Sequence, residues 1–359
     1  MNRMIGWMAI FSVLFLNCRG QTPSPQTLKT SDDPRIQKID LLLQEAESGG
    51  LCGTILIRSR NQVLLHKSYG WADREAGRPM TPSTGFLIGS LVKPITSATI
   101  LKLEEQGRLS SQDTLGRFFP EAPQDKQKIT LMQMMTHRAG MRDLFGGDYE
   151  LVGRDELVRT ALKASLIAPP GSQERYSNSA YSLLAVIIEK ASGRPYEEFV
   201  RQEVLQPAGA GGIGYVLAGW ENDQLAVGYD SSGRRWGAPL EHAWFEDGPS
   251  WNLRGNGGML GTAEEMAGWY KALFEGKVLG KEALEKYLGF NAGRSRKTGS
   301  RVLGQAGGNR VFNTLQVSYI DQDVHMTFFT SDARQRAEAL WRKIRDQVIS
   351  LAQEGESIG

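Results

Sequence analysis

Ser90 and Lys93 lie three residues apart in the run Gly85-Phe86-Leu87-Ile88-Gly89-Ser90-Leu91-Val92-Lys93-Pro94. A serine hydroxyl is inert near neutral pH until a base takes its proton. Residues at i and i+3 share one face of a helix, so the amine of Lys93 can reach the Ser90 oxygen. At a helix N-terminus the positive end of the dipole would help keep that amine neutral and would favour a nearby oxyanion. The pair therefore reads as a nucleophile and its activating base. Alone it reads first as a helix start with a serine cap and a solvated lysine. A second group of residues changes the balance: Tyr176-Ser177-Asn178, within Pro169-Pro170-Gly171-Ser172-Gln173-Glu174-Arg175-Tyr176-Ser177-Asn178-Ser179-Ala180-Tyr181. A phenol beside such a pair can relay a proton between nucleophile, lysine and leaving group. The Asn178 amide can bind a substrate carbonyl and the lysine together. Read separately, Tyr176 is a core aromatic and Asn178 a turn residue before a helix.

Other chemistries find little support. The four histidines, His66, His137, His242 and His325, form no H-E-x-x-H pattern, and no paired cysteine spacing suggests zinc. No glycine loop precedes a lysine and a helix as phosphate binding requires. The 42 basic and 40 acidic residues are interspersed and give a formal charge of +2, which excludes a nucleic-acid stripe. No metal and no organic cofactor is expected.

These residues need elements to hold them. At 359 residues, 40% hydrophobic and 23% charged, the chain can bury an ample core. Arg3 precedes an apolar run from Met4 to Leu16, broken only by Ser12, that is short for a membrane span and reads as an export signal over residues 1–18. Cys18 sits where a lipoprotein would be cleaved and acylated, although Asn17 departs from the small residue usual before it. An ordinary signal peptide cut slightly later is the other reading. Cys52 is the remaining thiol and is expected to pack as a small apolar residue. The Pro-, Thr-, Ser- and Gln-rich residues 19–33 read as a flexible linker. Asp33 and Pro34 then start a helix with Ile36, Ile39, Leu43 and Ala46 on one face. Residues 51–58 and 63–69 read as strands, as do 288–293, 301–306, 314–320 and 324–330. A closing helix carries Ala337, Leu340, Ile344 and Val348 on one side. The expected fold class is α/β (α+β). N- and C-terminal strands build one antiparallel sheet flanked by helices over 34–100 and 286–352, with a mainly helical insertion at 101–285 and a tail at 353–359. Trp220, Trp236, Trp244 and Trp251 fall in a loop-rich stretch, where they either wall a cleft or anchor the loops.

Beyond the two chemical motifs, an ordered set of landmarks runs from about residue 50 to 332. It comprises Gly53-Thr54-Ile55-Leu56-Ile57, Tyr69-Gly70-Trp71-Ala72-Asp73, Leu103-Glu104-Glu105-Gln106-Gly107-Arg108-Leu109-Ser110, Thr136-His137-Arg138-Ala139-Gly140-Met141, Ile187-Ile188-Glu189-Lys190-Ala191-Ser192-Gly193 and Gly257-Gly258-Met259-Leu260-Gly261-Thr262. With these, the chain resembles the serine hydrolases of the penicillin-binding protein and class C β-lactamase type, a group that also holds esterases and D-amino-acid peptidases. The resemblance implies a β-lactamase/transpeptidase-like fold with the active site between sheet and helical part. It also implies a third motif on the strand that walls the site, usually a lysine, histidine or tryptophan, then a small residue, then glycine. Lys297-Thr298-Gly299 has the literal form but lies in a polar, glycine-bounded turn. Gln305-Ala306-Gly307, followed by Gly308, has the strand context and is assigned to the motif. Gly307 and Gly308 would admit substrate close to the backbone, and an amide near Gly308 would pair with that of Ser90 as an oxyanion hole. Gln305 brings no positive charge to hold the carboxylate of a penicillin-type substrate, and Arg310 is the nearby cation that could. His137 matches a recurring family position and reads as structural, beside a tight turn at Gly140.

The expectation is an envelope serine hydrolase acting through an acyl-enzyme on esters or small amides, with Ser90, Lys93 and Tyr176 catalytic and Asn178, Gln305, Gly307 and Gly308 binding substrate. The alternatives are a β-lactamase or D-alanyl-D-alanine carboxypeptidase, and a catalytically weak binding protein of the same fold. The expected partner is a small-molecule acyl substrate, with membrane attachment through a Cys18 lipid, no nucleic acid, and a monomeric chain in the periplasm or cell envelope.

Overall fold

The computed structural model describes residues 26–143 and 147–353. The export signal, Cys18 and residues 354–359 lie outside the described residues. No helix among the described residues is long and apolar enough to cross a membrane.

Seven strands form the main sheet: β1 (Gln26–Thr30), β2 (Gly53–Ser59), β3 (Gln62–Tyr69), β4 (Gly293–Arg294), β5 (Arg301–Gly308), β6 (Asn313–Tyr319) and β7 (Val324–Thr330). Their spatial order is β1-β3-β2-β7-β6-β5-β4, antiparallel throughout. The first and last parts of the chain thus meet where β2 pairs with β7, Gly53 opposite Thr330. Side chains alternate between the two faces. Leu315 and Val317 of β6 and Met326 and Phe328 of β7 pack on Ile36, Ile39 and Leu43 of the helix Pro34–Ser48 and on Leu340, Ile344 and Val348 of the helix Ala337–Gln353. The intervening Thr314, Gln316 and Ser318 are buried on the other face. There Gln316 accepts from Thr327 at 2.5 Å and donates to Ser318 at 2.9 Å, so the polar positions are satisfied without water.

That second face joins a larger apolar core, which includes Leu303 and Phe329 of the sheet. It also includes Leu91 and Ile95 around the helix Val92–Glu105, and Leu184 and Ile187 of the helix Asn178–Ser192. Further helices at Arg154–Lys163, Ala263–Phe274 and Lys281–Asn291 complete this layer. Between them, residues 206–258 are largely loop, with one short hairpin of Gly228–Tyr229 against Arg235–Gly237.

Two expectations about elements need correction. Residues 26–30, read as part of a linker, form the edge strand β1 on β3. Four of its five side chains are exposed and the fifth is half-buried, so it is held by main-chain hydrogen bonds and carries no apolar alternation. Residues 288–293, read as a strand, are mostly the end of the helix Lys281–Asn291, which buries Ala283, Tyr287 and Leu288 on one face. A short apolar run does not distinguish a buried strand from a buried helical turn.

Candidate active site

The Ser90 turn is pinned from several sides. Phe86–Leu87 pairs with Leu260–Gly261, and Ile88 N–H donates to Met259 O at 2.9 Å. Thr314 of β6 donates through Oγ1 to Ile88 O at 2.8 Å, tying the turn to the sheet. Gly89 then adopts φ +54°, in the left-handed region that glycine enters without cost. A 3₁₀ turn at Gly89–Leu91 leads into the helix Val92–Glu105. Pro94 is tolerated because it falls in the first helical turn, where N–H groups have no intrahelical acceptor.

Lys93 follows one turn after Ser90, and its Nζ donates to Ser90 Oγ at 2.9 Å and to Asn256 O at 2.8 Å. The side chain is 2% exposed. Burial brings the amine down from 10.5 to about 7, while the Asp143 and Asp148 carboxylates push the other way. Its partial charge also lies 4.8 Å from the centre of the Tyr176 ring and 5.7 Å from that of Tyr181. The helix N-terminus helps to keep this lysine neutral only in a secondary way. Exclusion from water is instead the principal cause.

Tyr176 OH stands 2.6 Å from Ser90 Oγ. The phenol is held above its ordinary value, chiefly by burial around its hydroxyl and further by Asp143, with the Ser90 hydrogen bond opposing. It is therefore a proton donor at neutral pH, although the ring is 49% exposed and opens onto solvent. Ser90, Lys93 and Tyr176 thus share one hydrogen-bonded group. Asn178 does not join it. It begins the helix Asn178–Ser192, which Ser177 caps by accepting from Ala180 N at 3.1 Å. Its Nδ2 donates to Asp143 Oδ2 at 3.1 Å, and its own N–H donates to Asp143 Oδ1. The expected amide-to-lysine bond is replaced by a carboxylate-to-amide bond, and Lys93 finds Asn256 O instead.

Gln305-Ala306-Gly307 lies on β5, the strand that packs against the Ser90 turn. Gly307 stands opposite Thr314 and Gly308 opposite Asn313 in the β5–β6 ladder. A Cβ on Gly307 would lie 2.6 Å from Ile88 O and 2.8 Å from Ser90 N, and one on Gly89 would lie 2.1 Å from Gly308 N. Main chain therefore packs directly on main chain here, and the N–H groups of Ser90 and Gly308 border the same contact. Gln305 is partly buried, and its Nε2 donates to Ala306 O at 2.8 Å. Arg310 is exposed in the following turn. Lys297-Thr298-Gly299 lies before the far end of β5, in a turn closed by Gly299 N to Ser295 O at 2.9 Å, with Lys297 paired to Asp346.

Three contributors escaped the sequence reading. Asn256 acts through its carbonyl, which no residue type announces; its side chain donates to Ser182 Oγ and Asn252 O. Asp143 and Asp148 are isolated acids in a loop, and nothing in their spacing points to Lys93. The tryptophans serve mainly as loop anchors: Trp220 donates to Gly212 O at 2.8 Å, and Trp236 stacks on His242 at 3.8 Å between ring centres. Among the described residues, no group of three or more His, Cys, Asp or Glu could hold a metal ion.

An antiparallel sheet with terminal helices on one face, a helical layer on the other and a serine–lysine turn at their border define a β-lactamase/transpeptidase-like fold. The family model for Beta-lactamase matches residues 41–344, and the chain belongs to that family. Among similar proteins, PbpX of Bacillus subtilis (strain 168) is 31% identical over 263 residues, 73% of this chain and 64% of that one. Esterase EstB of Burkholderia gladioli is 32% identical over 200 residues, 50% of each chain. These matches span less than two thirds of either relative's length. The crystal structure of D-amino acid amidase from Ochrobactrum anthropi SV3 complexed with L-phenylalanine superposes with a TM-score of 0.74 at 18% identity, covering 89% of this chain and 98% of that one. At that identity the likeness is one of fold.

Proposed function

We propose that this protein is a serine hydrolase that cleaves esters or small amides through an acyl-enzyme on Ser90. The observation that carries the reading is the position of Ser90 Oγ, within hydrogen-bond reach of a buried lysine amine and of a phenol. Lys93 takes the Ser90 proton as Oγ bonds to the substrate carbonyl carbon. The N–H groups of Ser90 and Gly308 hold the resulting oxyanion. As the tetrahedral intermediate collapses, the bond to the leaving group breaks, Tyr176 gives that group its proton, and the Lys93 ammonium restores the phenol. Water then attacks the ester carbonyl on Ser90 as Lys93 takes its proton; when the bond between Oγ and the acyl carbon breaks, that proton returns to Ser90 Oγ and the acid leaves. The scheme uses no metal or organic cofactor.

The substrate preference follows from charge. Gln305 brings an amide where a penicillin-type substrate would need a cation for its carboxylate, and Arg310 is an exposed residue of the turn after β5. Uncharged esters and small amides lose nothing by this. The esterase among the similar proteins supports the same choice. Export to the cell envelope, a lipid on Cys18 and a monomeric chain belong to the same proposal.

Labelling with a fluorophosphonate tests it. The wild-type protein should take up one reporter per chain, and Ser90→Ala none. Equal labelling of the two proteins would refute the assignment of Ser90. Rapid turnover of a cephalosporin reporter with weak ester hydrolysis would refute the substrate preference.

A further inference from the structure

We propose that His137 is a positioning residue for Tyr176, a neutral clamp that holds the phenol at the Ser90 oxygen. The proposal rests on the reading of Tyr176 as the proton relay. Three contacts carry it. The His137 carbonyl accepts from Arg175 N at 2.6 Å, and its ring Nδ1 accepts from Ser177 N at 3.3 Å. Both main-chain neighbours of Tyr176 are thus tied to this one residue. Between those ties the imidazole lies against the Tyr176 ring, with centres 4.5 Å apart and planes inclined by 30°. Its other neighbour is Tyr181, at 5.2 Å. Tyr181 is itself fixed by donating to Met135 O at 2.7 Å, so the platform rests on the core and not on solvent.

The backbone of His137 is set for this task. Its φ is +56°, a region that costs most side chains about 1 kcal/mol or more and that Asn, Asp and His enter most readily. Such strain persists only where the surroundings hold it in place. Here the left-handed turn lets carbonyl and ring address residues 175 and 177 from the same side. Burial and the neighbouring Lys93 bring the imidazole down to about 4, so Nδ1 carries a lone pair at neutral pH and can accept from Ser177. A protonated ring would break that bond and set a second cation beside Lys93. Among the described aromatic rings only that of His137 lies against Tyr176; the half-exposed phenol is otherwise held by Lys93 Nζ, 4.8 Å from its ring centre, and by its hydrogen bond to Ser90.

The experiment is a double-mutant cycle of His137→Asn with Tyr176→Phe, followed by ester hydrolysis and thermal unfolding. Asparagine tolerates positive φ but supplies no ring. His137→Asn should lower kcat by about 100-fold, the cost of misplacing a reacting group by about 1 Å, with KM changed by less than about twofold. In the Tyr176→Phe background the same change should cost almost nothing, because the group it positions is gone. Equal losses in both backgrounds, or an undiminished kcat, would overturn the inference while leaving the role of Tyr176 intact. A Tyr176→Phe protein of full activity would instead overturn the underlying mechanism, and the inference with it. Should His137→Asn fail to fold, ring ¹⁵N shifts of the wild-type protein decide the matter. An unprotonated Nδ1 at pH 7 supports the clamp, and an Nδ1–H there refutes it.

Discussion

The pH dependence of turnover is the most quantitative consequence of burying Lys93. An ordinary lysine titrates near 10.5, whereas burial brings this one to about 7. At pH 7 the ordinary amine is neutral in roughly one molecule in 3,000, and one titrating at the ambient pH in about half, so burial raises the competent fraction about 1,500-fold. For a small neutral ester, kcat/KM should therefore climb about tenfold per pH unit on the acid side and level off above about 7. The groups around the amine fix how that limb responds to mutation. Tyr176 stays protonated through this range and His137 stays neutral, so neither shifts it. The Asp143 carboxylate raises Lys93. Asp143→Asn keeps an acceptor for the N–H groups of Asn178 and Ser179 but removes the charge. The acid limb should then move to lower pH, by up to about one unit. Stopped-flow or plate assays of ester hydrolysis from pH 5 to 9 would measure both profiles. A flat wild-type profile, or a limb that moves to higher pH in Asp143→Asn, would refute the reasoning.

The same burial has a cost to the fold. Because the unfolded chain holds Lys93 near 10.5 and the folded chain near 7, the unfolded state binds the extra proton between those values. Wild-type stability relative to Lys93→Met should accordingly rise from pH 7 towards pH 10, with a full span of about 5 kcal/mol; denaturant melts at several pH values would show it, and a constant difference would contradict it. Tyr176→Phe should slow hydrolysis by about 100- to 10,000-fold for an alkyl ester, and by less for a nitrophenyl ester whose leaving group needs no proton; equal losses for both would remove Tyr176 from leaving-group protonation. Gly307→Ala would drive a methyl to within 2.8 Å of Ser90 N. It should cost about 1–3 kcal/mol in thermal or chemical denaturation and nearly all activity; a stable, fully active variant would mean that the β5 contact with the Ser90 turn is looser than described.

Much of the fold was legible because its signals are periodic. The helix faces of Ile36, Ile39 and Leu43 and of Leu340, Ile344 and Val348 lie on the sheet as their spacing implies. The strand β1 was not legible, since its side chains leave no pattern and its bonds are all main chain. The site divides along the same line. Ser90, Lys93 and Tyr176 stand out in the sequence by their side-chain chemistry and Gly307 by its place in the resembled third motif, whereas the packing of Gly307 on the Ser90 turn is seen only in the structure. Asn178 was misassigned in detail because Asp143, 35 residues earlier, competes for its amide, and no local pattern reveals that pairing. The carbonyl of Asn256 was invisible for a simpler reason: every residue has one. His137 was seen as a fixed point of a turn, but its contact with Tyr176 depends on a left-handed backbone that sequence does not declare.

The most direct test of a covalent route through Ser90 is to trap the acyl group. A nitrophenyl ester should give a burst of one nitrophenolate per chain, and acid quench with peptide mass mapping should place the acyl mass on the peptide that contains Ser90, with neither seen in Ser90→Ala. Hydrolysis that continues at the wild-type rate in Ser90→Ala, or an acyl group found on another residue, would contradict the account at its root.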